Sequence, residues 1–377
     1  MIYGGLLFLV LIPLVGAALW VFPLPRPFFV HAVFVLAALP LIWSAMLHFV
    51  PVLTRSGSPP PILRGLPALA IGVAIPLLAV FAGGAPRHAL LLVAVLVGAG
   101  ALGLQAWAYR RARRVIGTPH PGVRWYLASL GLLVLAMVAV AGMVFDTARY
   151  AVWYGLHLHL NLLGWFGLTV LGTLPVLLPT CLHKFEPNAT FRLRLGLPWA
   201  IFGVLAVAFG AALRLPVLAA FGAISLIGLI ATHWRAWFRF FGAPWRWAGP
   251  GQSLLLGSAF LLLLMPVGIA HGFGLVGGGA LLPAFVAGFL LPTVLGALAQ
   301  LLPVWKFPGP DSPARQALAA TLSVGAGWRG ALCFLVGLGQ LLSFGPSLIF
   351  AGIAVLWLLV SLLWGIRPQM LRPRAPL

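Results

Sequence analysis

Long apolar runs dominate the chain, each cut off by a short polar or proline-rich connector. A helix needs roughly 20 mostly apolar residues to cross the hydrocarbon layer of a bilayer. Twelve segments meet that need, at approximately 2–22, 28–53, 66–84, 88–109, 125–145, 150–180, 196–213, 215–237, 252–272, 275–305, 330–345 and 347–366. Connectors such as "SGSPPP" and "KFPGPDSP" mark the joints between them. The pattern predicts an all-α polytopic membrane protein of about twelve transmembrane helices, with 330–345 the shortest. Segment 2–22 lacks a basic leading region and a small-residue cleavage site, and reads as a retained helix.

Charge tests the segment count independently. Lys and Arg accumulate on the cytoplasmic side of membrane proteins. Alternating sides along the twelve segments puts 19 of the 23 basic residues on the side of both chain ends. The other side receives Arg26, Arg87, Arg149 and Arg214. A missed helix would scramble this asymmetry, so both termini are expected in the cytoplasm, at a bacterial inner membrane. The formal charge of +20 is thereby a matter of topology and does not call for nucleic acid. The stretch "HWRAWFRFFGAPWRW" (233–247) reads likewise as an aromatic and cationic anchor among headgroups.

An internal repeat divides the chain. "TVLGTLPVLLP" (169–179) and "TVLGALAQLLP" (293–303) agree at eight of eleven positions, at an offset of 124. The end of the second segment, "MLHFVPVL", is a fainter echo at an offset of 128. The second, sixth and tenth segments would then be equivalent members of pseudo-threefold four-helix units, roughly 1–115, 116–240 and 241–377.

Carboxylates are scarce. Asp146, Glu186 and Asp311 are the only three, and all fall in connectors. An ion-coupled carrier usually keeps a carboxylate at mid-membrane, so intramembrane chemistry must rest on the nine histidines. His31, His88, His157, His159 and His271 belong to the outer leaflet; His48, His120, His183 and His233 lie at or beyond the inner surface. His157 and His159 are about 200° apart around a regular helix, so they face different neighbours. Asn161 shares the His157 face and suits an orienting role beside a ligand. His31 follows Arg26, which can reach headgroups or a cofactor carboxylate, and His271 lies among Gly272 and Gly274. A neutral imidazole in low dielectric offers a lone pair to a metal or haem iron, which makes His31, His157, His159 and His271 the candidate ligands. Cys181 and Cys333 form neither a disulfide framework nor a metal-ligand spacing, and Cys181 with His183 is a weak pair in a surface loop.

The stretch "WYGLHLHLNLLGWFGLTVLGTLPVLLP" resembles the sixth helix of subunit I in haem–copper oxidases, where a histidine near the start ligates copper. "RPFFVHAVFV" is similar to that family's second helix, whose outer histidine ligates the low-spin haem, and "RPFF" before a span is similar to NnrS. The resemblance covers about a third of the chain. It implies twelve helices, both ends inside, and haem, copper or both bound by His157 or His159 and by His31. The chain departs from the family where the seventh and tenth segments carry no histidine and where position 161 is Asn and position 163 Leu, so no tyrosine follows the copper-ligand position. A complete oxygen-reducing dinuclear centre and a proton pump are not expected.

The expectation is an outer-leaflet histidine site for redox, nitric oxide or oxygen chemistry or sensing, with an electron donor or a small gaseous ligand as partner. A metal or small-molecule transporter with a histidine-lined pathway is the alternative, and an assembly partner without cofactors a third reading. The oligomeric state is not legible.

Overall fold

In the computed structural model, which describes residues 2–243, 249–344 and 347–370, every regular element is a helix and no strand occurs among the described residues. Helix α1 (Ile2–Val21) leads to α2 (Arg26–Leu53) and then to α3 (Leu66–Phe81), which is apolar but only 16 residues long. There follow α4 (Ala89–Arg114), α5 (Gly122–Phe145), α6 (Thr147–Cys181), α7 (Ala189–Ala212) and α8 (Pro216–Phe241). The last four are α9 (Pro250–Gly272), α10 (Gly278–Lys306), α11 (Pro313–Leu341) and α12 (Leu348–Ile366). Apart from α3, these eleven described helices are long and apolar enough to cross a membrane, which makes this an integral membrane protein. The expected short segment 330–345 is part of the longer α11, which is broken at Val324–Gly325, where Gly325 takes a left-handed φ of +69°. Residues 244–247 of the tryptophan–arginine stretch lie outside the described residues.

Three helices form the centre. In α2, α6 and α10, 67%, 78% and 72% of the most apolar stretch is buried, against 28–50% in the other eight long helices. Phe34 of α2 meets Phe166 of α6 at 4.8 Å and Phe285 of α10 at 6.5 Å between ring centres, so one aromatic from each helix closes the core. The remaining helices surround this trio. Helix α1 packs beside α12, which brings the two ends of the chain together. Lipid supplies no hydrophobic drive for helices to associate, so contact depends on close approach. The α7–α8 pair shows this, because a Cβ added at Gly222 would lie 2.5 Å from the Gly203 carbonyl oxygen.

The same three helices share a local distortion. Each widens into a π-helical stretch, at Ala32–Ala38, Leu160–Gly167 and Phe285–Leu290. Proline lacks an N–H and its ring crowds the carbonyl four residues back, which a widened turn relieves. Pro40 and Pro292 stand two residues past the widened turns of α2 and α10. The offsets of 128 and 124 map both prolines onto Leu168 of α6. The widened turn of α6 therefore has no proline behind it, and it adjoins His157, His159 and Asn161.

Candidate functional site

His31 and His159 each occupy the last position before a widened turn, and they are separated by the repeat offset of 128. Their Nδ1 atoms make the same contact, to the carbonyl four residues earlier: Pro27 O at 2.7 Å and Gly155 O at 2.8 Å. His157 lies on the opposite side of α6 from His159, as the helical angle requires. Its ring centre is 6.4 Å from that of His31, with the planes 23° from parallel. Of the four candidate ligands, His31 and His157 are thus brought together, whereas among the described residues no ring contact or hydrogen bond joins His159 to His271.

Hydrogen bonding fixes their tautomers. His157 Nδ1 lies 3.1 Å from Ala136 O of α5, and His271 Nδ1 lies 3.0 Å from Val276 O. A carbonyl oxygen only accepts, so in all four rings Nδ1 must carry the proton. Nε2 is then the bare lone pair, and among the described residues no protein hydrogen bond engages it. Metal-ligating histidines are held in just this way, by donating the other ring nitrogen to a carbonyl or carboxylate.

The neighbours are more specific than the sequence implies. Phe81 of α3 stacks on the His31 ring at 4.6 Å and 25°, covering one face while leaving the nitrogen edge. Asn161 donates from Nδ2 to the His157 carbonyl at 2.7 Å; its 3.4 Å approach to Nδ1 is the weaker contact, because that nitrogen already donates to Ala136. Asn161 therefore holds the backbone beneath His157. Arg26 donates from Nη2 to Gly279 O, tying the start of α2 to the start of α10, with no contact to His31. That same turn lies against His271: a Cβ at Gly278 would be 2.9 Å from His271 Nε2 and 2.7 Å from Cε1. The glycine that matters there is Gly278, not Gly272 or Gly274. His88 is exposed at the start of α4.

The remaining histidines behave differently. His120 Nδ1 accepts from Gly122 N at 3.1 Å. His233 accepts on Nδ1 from Arg192 Nε at 3.3 Å and is buried. His48 packs edge-on against Trp305. His183 takes a left-handed φ of +50° in the connector after α6, while Cys181 is buried. Glu186, expected in a connector, is in one, but it is buried and ion-paired to Arg192. Sequence reading missed this network, since a loop glutamate near arginine carries no mark of burial.

Among the described residues, no three His, Cys, Asp or Glu side chains gather closely enough to hold a metal ion. His31 and His157 are the two candidate donors whose rings lie together; two protein nitrogens suffice to hold haem iron, and are one fewer than a three-imidazole metal site requires. No protein-family model, curated protein or solved structure matches the chain.

Proposed function

We propose that the protein is a haem-binding integral membrane protein in which His31 and His157 would hold the iron. The observation that carries the reading is the Nδ1-anchored geometry of these two neighbouring rings, 6.4 Å apart between centres, which leaves both Nε2 lone pairs uncommitted. A haem held there would supply one-electron transfer or the capture of a small gaseous ligand such as nitric oxide or oxygen. The chain's residues would do the rest. Ala136 O and Pro27 O hold the rings, Phe81 shields His31 and Asn161 fixes the α6 backbone. A divergent member of the haem–copper oxidase and NnrS-like group is the family this arrangement fits.

The twelve-crossing topology with both ends in the cytoplasm belongs to the same proposal. It requires α3 to cross, at 16 residues and about 24 Å. Support comes from its two ends: Phe81 stacks on His31 at the outer end of α2, while the α3 start follows the connector from its inner end.

The pathway reading rests on His48 at the far end of α2. Between His31 and His48 that helix buries Phe34, Leu41, Ile42, Trp43 and Met46, and Ser44 returns its hydroxyl to Pro40 O. A polar path through the bilayer would need more than this. The deciding experiment is pyridine haemochrome and metal analysis of the purified protein. About one haem per chain supports the proposal, and neither haem nor iron in protein expressed with haem supply contradicts it. Metal uptake into proteoliposomes that His48→Leu abolishes would favour transport instead.

A further inference from the structure

The connector after α2 and the last turns of α4 border an open hollow of about 970 Å³. Arg55, Arg110, Arg111 and Arg114 line it together with the hydroxyls of Thr54 and Ser56. None of the three carboxylates in the chain does: Glu186 pairs with Arg192, Asp311 lies 3.8 Å from Arg315, and Asp146 accepts from Trp153.

The arginines divide by task. Arg64 donates from Nε to Pro59 O at 2.9 Å and from Nη2 to Ser58 Oγ at 3.3 Å, and Arg111 donates to Ser58 O at 3.2 Å. These two brace the connector. Arg110 spends only Nε, on Ala106 O. Arg55 and Arg114 donate to no protein group among the described residues. Arg55 also takes a left-handed φ of +46°, a conformation a non-glycine residue adopts at some cost. Topology alone asks for basic residues on this face, but it does not ask them to converge on one hollow. Ile62 and Ile116 flank the hollow and are 83% and 94% exposed. Exposed arginines beside exposed hydrocarbon in one hollow suit a phospholipid headgroup with its acyl chains.

The geometry assigns this hollow to the phosphodiester headgroup of an anionic phospholipid, with Arg55, Arg110 and Arg114 as its donors. The test is native mass spectrometry of the detergent-purified full chain, with phosphatidylglycerol or phosphatidylcholine added. Wild type retains phosphatidylglycerol and not phosphatidylcholine. R55Q/R110Q/R114Q binds it roughly a hundredfold more weakly, while the charge-matched R113Q/R124Q/R194Q behaves as wild type. If the site triple variant fails to fold, R55Q and R114Q singly each weaken binding about fivefold. Displacement of the lipid by millimolar inorganic phosphate would make the ligand a soluble anion and overturn the lipid assignment. Equal retention of both lipids, or equal loss in both triple variants, would overturn the site.

Discussion

The His31 and His157 rings lie 6.4 Å apart with planes 23° from parallel, and each directs Nδ1 to a backbone carbonyl. They come from two of the three buried central helices, α2 and α6. The Nδ1 bonds anchor both rings, and among the described residues no hydrogen bond reaches either Nε2.

Asn161 acts on the backbone and not on the ring. Asn161→Leu should leave the haem content of the protein close to wild type and cost about 0.6 kcal/mol, the mean worth of a hydrogen bond within a membrane bundle. Haem per chain and a thermal melt in the same detergent check both halves.

Gly278→Ala should cost about 1 kcal/mol or less at the His271 corner, because both residues are exposed and the ring can swing away, short of the overpacking cost of a closed core. The added Cβ falls within 2.9 Å of His271 Nε2. The defect should shrink when His271 is also replaced by alanine, because the clash then has no partner. A double-mutant cycle of melting temperatures reads this coupling.

Buried Glu186 and Arg192 form an ion pair. Removing one partner of such a pair strands the other, at a cost of about 3–5 kcal/mol. Glu186→Gln or Arg192→Met alone should therefore destabilise strongly, and the double variant less than the sum of the two. Chemical denaturation of the four proteins measures it.

His120 gives a pH prediction. Burial and then the nearby Arg194 charge hold its pKa below the ordinary histidine value of 6.5. The folded state keeps the ring neutral, which lets Nδ1 accept from Gly122 N. The unfolded state binds the proton more readily, so this contribution is present above pH 6.5 and is lost as pH falls through the folded pKa. His120→Gln should flatten the fall in melting temperature below pH 6.5; an unchanged slope would assign that fall to other groups.

The helices were legible because length and apolar content suffice to recognise a span. The repeat was legible too, since Thr169 and Thr293 sit in nearly identical strings. So was the angle that sets His157 and His159 on different sides of α6. What could not be read was the partner of each. Phe81, Ala136 and Gly278 come from other helices or turns, and packing alone decides them. The widened turns escaped notice because Pro40 and Pro292 look like ordinary interior prolines, and Leu168 gives no sign at all. The arginine hollow was hidden by its own explanation, since "LTRSGSPPP" and "YRRARR" satisfy the positive-inside rule whether or not they converge.

The central claim is most directly tested by the absorption spectrum of the reduced, purified protein and four single variants. The account predicts a sharp low-spin haem spectrum in wild type, kept in His159→Ala and His271→Ala. In His31→Ala and His157→Ala it should be lost or converted to a high-spin form. A haem spectrum indifferent to both His31 and His157, or no Soret band in any haem-supplied preparation, would contradict it.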